Sequence, residues 1–201
     1  MNGTGKDQIL EAARRVIARS GIKDASMQAI AEEAGMTKGG LYYHYQGKDY
    51  ILFELADRFL KEAVAPVKES LVTGNSKEEL FNVILNGIAR RLYNSEHNKL
   101  QFYLTHEAVL EKEELHELVV RKFKGWLDTT EEAIDVLYDF PDIKFKRALA
   151  SSTVAMIDGQ AIQLILEEDM VKTEELLSLW EAFFKAGIPA MIEYIRKNSL
   201  E

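Results

Sequence analysis

The stretch Ile30-Ala31-Glu32-Glu33-Ala34-Gly35-Met36-Thr37-Lys38-Gly39-Gly40-Leu41-Tyr42-Tyr43-His44-Tyr45 decides the fold. It reads as two short helices joined by a tight turn. A helix-turn-helix needs a small residue where the second helix crosses the first, and Ala31 supplies it. The turn needs a residue at ease with positive φ, and Gly35, four positions on, supplies that. Ile30, Ala34, Met36 and Leu41 are the apolar pins that hold both helices to a third. Ser26 can cap the first helix and Thr37 the second. Upstream, Ile9, Ala13, Val16 and Ile17 recur at helical spacing, with Gly21 as a stop, and provide the third helix.

The second short helix is poorly suited to a purely structural role. Gly39 and Gly40 are weak helix formers, and only Leu41 and Tyr45 share the core face. Thr37, Lys38, Tyr42, Tyr43 and His44 carry hydrogen-bonding tips with little to bury. The two glycines allow a backbone to approach closely. Such a surface suits phosphates and base edges. The net charge of −8 argues the other way until its distribution is counted. Residues 1–50 hold seven Lys/Arg against six Asp/Glu, a balance of +1, while residues 51–201 hold 18 against 27, a balance of −9. The N-terminal quarter is spared the acidity of the rest, as expected of a module that touches an anion.

Residues 8–60 resemble the N-terminal domain of the TetR (tetracycline repressor) family of bacterial transcriptional regulators. The quoted stretch, followed by Gly47-Lys48, carries the resemblance; that family usually has Phe where Tyr45 stands. The resemblance implies that Thr37, Lys38, Gly39, Tyr42, Tyr43 and His44 contact DNA, that Lys48 grips a phosphate, and that Ser26 grips another. Gly40 stands where many members carry a larger side chain, so readout leans on its neighbours. Ile157-Asp158-Gly159-Gln160-Ala161 adds a further likeness near the C-terminus. The implied division is a DNA-binding domain over residues 1–47 and a ligand-binding and dimerisation domain over 48–201, with the helix from Lys48 shared.

The remaining chain reads as all-α, about nine helices in total with no convincing strand. A long helix runs from Lys48 toward Val72, and Pro66 should kink or split it. Thr73-Gly74-Asn75 is a loop. Ser76-Lys77-Glu78-Glu79 fits a capping box opening a helix with Leu80, Ile84, Ile88 and Leu92 on one face. Further helices cover about 96–110, 113–138, 143–167 and 174–196. Pro141 and Asp142 punctuate, and Thr173 is a candidate cap for the last helix.

In this body, Phe81, Phe102, Tyr103, His106, Phe123, Trp126, Thr130, Met156 and Gln160 mix aromatic and sparse polar groups, the composition of a small-molecule pocket. The penultimate helix is rich in small residues, and the last has an apolar face wider than one core contact needs. Ala155, Gly159, Ile162, Trp180, Phe184 and Ile188 are the candidate contacts of a homodimer. With the family resemblance this gives a regulator of double-stranded DNA that acts at a near-palindromic operator and answers a small lipophilic or amphipathic effector. The alternative is an all-helical enzyme or small-molecule carrier. No Gly-x-Gly-x-x-Gly, phosphate loop or Gly-x-Ser-x-Gly occurs, so no catalytic residue is assigned. The absence of cysteine excludes disulfides and thiolate chemistry. The histidines lack metal spacing, and neither metal nor cofactor is expected. No continuous apolar run reaches the roughly 18 residues of a membrane span, and the polar start, Met1 to Asp7, is unlike a signal peptide; a cytoplasmic location is expected.

Overall fold

A computed structural model describes residues 5–110, 113–138, 145–167 and 170–198. Among these residues the regular structure is helical. The order is α1 (Gly5–Asp24), α2 (Met27–Glu33), α3 (Lys38–His44), α4 (Lys48–Thr73), α5 (Lys77–Tyr93), α6 (Ser95–Leu110), α7 (Glu113–Tyr138), α8 (Lys146–Leu166), α9 (Thr173–Ala182), a π turn (Phe183–Gly187) and α10 (Ile188–Lys197). Pro141, Asp142 and the expected start of the penultimate helix at Ile143 lie outside the described residues. The chain divides into two compact units. The first runs to Phe59 and adds Leu100–Val119; the second holds Leu60–Lys99 and the chain from Val120 onward. The first unit thus reaches past the boundary expected at residue 47, because the opening turns of α4 bury Ile51, Leu52, Leu55 and Ala56 in it.

In the first unit the α2–α3 turn is closed by its backbone. Gly35 takes φ 66°. Its N–H donates to the Glu32 carbonyl at 3.0 Å, and the Met36 N–H reaches back to Ala31 at 3.0 Å. This is the paired pattern of a Schellman helix end, which needs a left-handed residue where Gly35 stands. From α1, the Gln8 amide donates to the Ala34 carbonyl at 2.8 Å, and Arg15 and Arg19 both reach Glu33 on α2. Ile9, Ala13, Val16, Ile30, Ala31 and Leu41 are fully or almost fully buried beneath. Gly21 interrupts α1 at φ 81° without ending it; one more turn carries on to Asp24.

Tyr45 is 5% exposed, and its hydroxyl donates to the Glu54 carboxylate at 2.8 Å. Glu54 also faces Lys6 and Arg58, and Arg58 holds Asp7 at 2.6 Å. The hydroxyl thereby ties the end of α3 to α4, a bond that a Phe could not make. Burial, then the bond to Glu54, pushes the phenol well above its usual range.

The second unit is built around Trp180. It is 1% exposed, with Leu176, Phe184, Ile188, Ile134 and Leu149 in the same buried cluster. Its indole N–H donates to Gln160 at 2.7 Å, and the Tyr138 hydroxyl donates to the Phe184 carbonyl at 2.7 Å. The capping box at Ser76 forms in both directions. Asn94 caps α6 through the His97 N–H, a role not anticipated. Thr173 is not a cap: Lys172 holds that position without a side-chain bond, and Thr173 is already helical.

Pro66 does not split α4, which is continuous to Thr73. A proline deprives the carbonyl four residues earlier of its donor. That carbonyl belongs to Glu62, and the Arg90 guanidinium of α5 donates to it at 3.4 Å. The single last helix expected over about 174–196 is instead interrupted by the π turn. Its buried residues Leu176, Trp180, Phe184, Ile188 and Ile192 recur every four positions. Each such step overshoots an α-helical turn by about 40°, and a wider π turn midway returns the stripe to the core.

Tyr45→Phe is expected to cost about 1–2 kcal/mol at neutral pH through loss of the bond to a carboxylate. The folded protein holds the phenolic proton more tightly than the unfolded chain does. This contribution is therefore complete below the unfolded pKa of about 10 and declines as the pH rises past it. Urea unfolding at pH 7 and pH 11 should show a smaller alkaline loss in the variant than in the parent. Equal stability of the two proteins at pH 7 would contradict the role given to the hydroxyl.

Candidate functional site

Helix α3 presents the face expected to meet DNA. Lys38 and Gly39 are exposed, Tyr42 is 47% exposed and Tyr43 87%. The Lys38 ammonium lies over the Tyr42 ring at 6.0 Å, and the Tyr43 and His44 rings meet edge-on at 5.3 Å. Two side chains of the expected set have local duties as well. Ser26 accepts the Ala29 N–H at 3.1 Å and Thr37 the Gly40 N–H at 3.1 Å, so each oxygen caps its own helix. A Cβ at Gly40 would come within 3.3 Å of that Thr37 oxygen; the glycine leaves the cap undisturbed. Lys48 donates to the carbonyls of Ile22 at 3.1 Å and Lys23 at 3.3 Å, and stands 5.8 Å from the Tyr103 ring centroid. The last carbonyls of a helix are without intrahelical donors and attract a cation. Lys48 therefore serves α1 first, and of its three N–H donors only the remainder is available to a phosphate.

The second unit holds a partly open cavity of about 140 Å³ between α4, α5, α7, α8 and the π turn. Val67, Ile84, Ile88, Trp126, Ile134 and Ile157 give it an apolar wall, and Thr129, Thr130 and Thr153 add hydroxyls. Of the expected pocket residues, Trp126 and Thr130 line it. Phe102, Tyr103 and His106 do not: they belong to the first unit, where Phe102 is 49% exposed and His106 sits near Glu107 at 3.6 Å. Phe81 packs edge-on against Phe184, Phe123 against Trp126, and Met156 is exposed. Gln160 is occupied with the Trp180 indole.

Sequence reading missed the charged pair in this wall. Arg91, 8% exposed, donates to Asp158 at 3.1 Å, and both line the cavity. Burial lowers the Arg91 pKa, and burial raises that of Asp158; in each case the partner opposes the shift. Among the described residues no group of three or more His, Asp or Glu side chains is placed to hold a metal ion.

Three expected dimer contacts are corrected. Trp180, Phe184 and Ile188 are at most 4% exposed because they form this chain's own core, and Phe184 also lines the cavity. Ala155 and Ile162 are exposed and Gly159 is half-buried. With Ser152, Met156 and Leu166 they form one stripe along α8 that no described part of the chain covers. The sequence reading found no span-length apolar run, yet α8 is long and apolar enough to cross a membrane by length and composition, with 22% of that window buried.

Residues 9–55 match the family profile described as bacterial regulatory proteins, tetR family. The HTH-type transcriptional regulator BetI of Vibrio campbellii is 31% identical over 84 residues, which are 41% of this chain and 42% of that protein. The chain thus spans less than half the length of that relative. Among solved structures, a regulator from Pseudomonas aeruginosa PAO1 covers 96% of the chain, and 92% of its own, at a TM-score of 0.75 and 15% identity. A regulator from Saccharomonospora viridis, solved with choline, covers 90% of the chain and 95% of its own at 0.71 and 23%. These two establish likeness of fold across both units. Over residues 9–55, then, the chain is similar to the bacterial regulatory proteins of the tetR family.

Proposed function

We propose that the chain is a homodimeric, DNA-binding transcriptional repressor, released from a near-palindromic operator by a small lipophilic or amphipathic ligand. The observation that carries this reading is α3. Its exposed Lys38, Tyr42 and Tyr43, with the half-buried His44 against Tyr43, stand on a helix fixed by the Gly35 turn, and nothing in packing requires the three exposed tips there. Ser26, Thr37, Gly39 and Lys48 complete the DNA contacts, with Lys48 offering a phosphate its remaining donor. Such a protein acts in the cytoplasm, where bacterial DNA lies. The enzyme or carrier reading has no observation in its favour beyond the cavity, which a ligand-responsive regulator needs as well.

The stripe on α8 supports the dimer. Contiguous exposed apolar patches mark interaction sites, and small residues at Ser152, Ala155 and Gly159 let a second helix approach closely. A two-fold pair presents two recognition helices, and so calls for half-sites about one helical turn apart or a little more. Ligand response follows from α4. Val64 and Val67 line the cavity, and the same helix gives Ile51, Leu52 and Leu55 to the first unit. A ligand that favours one setting of α4 shifts operator affinity, and operator shifts ligand affinity by the same factor.

Selection of bound fragments from genomic DNA tests the central reading; recovery of no enriched sequence would remove it. Tyr42→Ala is expected to weaken binding to the selected site about tenfold or more while sparing non-specific DNA. Lys48→Ala should weaken all DNA binding and make the salt slope shallower by about one; an unchanged slope would leave Lys48 with only its role at the end of α1.

Ile162→Glu should give monomers by sedimentation with the melting temperature of the monomeric unit preserved, because it places a charge on the outer stripe. Phe184→Ala should instead cost about 3–5 kcal/mol of stability, because it empties the core. Dimers that persist in Ile162→Glu would place the interface elsewhere.

A further inference from the structure

The cavity wall is almost wholly apolar, yet Arg91 stands in it nine-tenths buried. A guanidinium has donors only, in a planar fork. Nη2 gives one to Asp158 at 3.1 Å. Nη1 is buried and has no acceptor. A buried donor on a charged group left without an acceptor is costly, and native proteins rarely keep one without a use. Two hydroxyls of the lining are turned elsewhere: Thr129 donates to the Gly125 carbonyl and Thr153 to that of Leu149. Asp158 lies in the field of Lys122 as well as Arg91.

The size of the space guides the choice of occupant. At about 140 Å³ the cavity matches the volume that takes a benzene-sized body. Trp126 offers a ring to an apolar occupant from one wall, with Ile88, Ile134 and Ile157 also in the lining. An acceptor that carries charge makes the stronger bond to a guanidinium, and a carboxylate can take two N–H groups in parallel.

We infer that the cavity binds a compact monocarboxylate, an apolar body of about six to eight carbon atoms whose carboxylate is gripped by Arg91. This rests on the ligand-responsive reading above and names the ligand class for it. Asp158 is the positioning residue: it holds the guanidinium in the wall and keeps it charged while the cavity is empty.

Three probes of equal size and different head charge test this on the full chain: benzoate, benzyl alcohol and benzylamine. Binding is followed by calorimetry and by the fluorescence of Trp126, with a Trp126→Phe control to subtract Trp180. Benzoate is expected to bind at least tenfold more tightly than benzyl alcohol, and benzylamine not at all. Arg91→Lys keeps the charge but loses the fork, and should lower benzoate affinity tenfold or more and that of benzyl alcohol by a smaller factor; its melting curve reports whether it folds. The unmodified protein decides the class without any variant. Benzylamine or benzyl alcohol binding as tightly as benzoate overturns the inference, and so does failure of benzoate to bind at millimolar concentration.

Operator binding is read separately, on a genomically selected fragment. Benzoate that binds through Arg91 and leaves the DNA complex intact upholds the ligand class and removes the ligand-released repressor. A protein that holds the fragment but does not take benzoate upholds the DNA reading and removes the ligand class.

Discussion

The first unit depends on one left-handed residue. A seven-residue helix such as α3 has no independent stability in water, so its direction is set by what precedes and underlies it. Gly35 at φ 66° turns the chain, and the N–H groups of Gly35 and Met36 satisfy the open carbonyls of α2. Gln8 then clamps the Ala34 carbonyl, and Leu41 is drawn fully into the core. With those contacts made, the polar tips of α3 have only one side on which to stand. A Cβ at residue 35 would meet no neighbour; the objection to any other residue there lies in the backbone angle alone.

What the sequence made legible was local in origin. The α2–α3 turn, both N-caps and the capping box at Ser76 depend on residues within a few positions of one another, and each stood where its residue types placed it. Lys48 shows where such reading stops. Its type and place suggested a phosphate, while its nearest partners are carbonyls 25 and 26 positions earlier. Pro66 shows the same limit, since the donor that repairs its gap comes from α5, 28 residues after Glu62. The cavity was the least legible feature. Arg91 lies 67 residues from Asp158, and of the aromatic residues expected to line the pocket only Trp126 does so. One signal was available: Asp158 is the only charged residue between Ala148 and Leu166. A lone acid in an apolar helix needs a partner, and its partner marks the wall.

The second unit shows how an apolar core accommodates obligatory polar groups. The Trp180 indole has Gln160, and the Tyr138 hydroxyl has a carbonyl of the π turn. Each is a single bond closed within the unit, and each fixes one helix relative to another. The Arg91–Asp158 pair is different in kind. Replacing such a pair by well-packed apolar residues is often neutral or stabilising, so its presence in the wall is poorly explained by stability. Its open Nη1 gives the cavity a directional feature that the surrounding valines and isoleucines cannot.

The π turn between α9 and α10 carries one residue more than an α-helix would use to reach the same phase. The chain holds a surplus there and nowhere else along these two helices. A one-residue deletion within Phe183–Gly187 lets the helix close into regular α form with Ile188, Ile192 and Ile195 still facing inward. The same deletion a turn earlier or later rotates everything beyond it by about 100° and turns those isoleucines toward water. Deletions among descendants of this sequence are therefore not equally tolerated between Thr173 and Lys197: one residue can be lost at the π turn, while elsewhere along these helices only side chains can change.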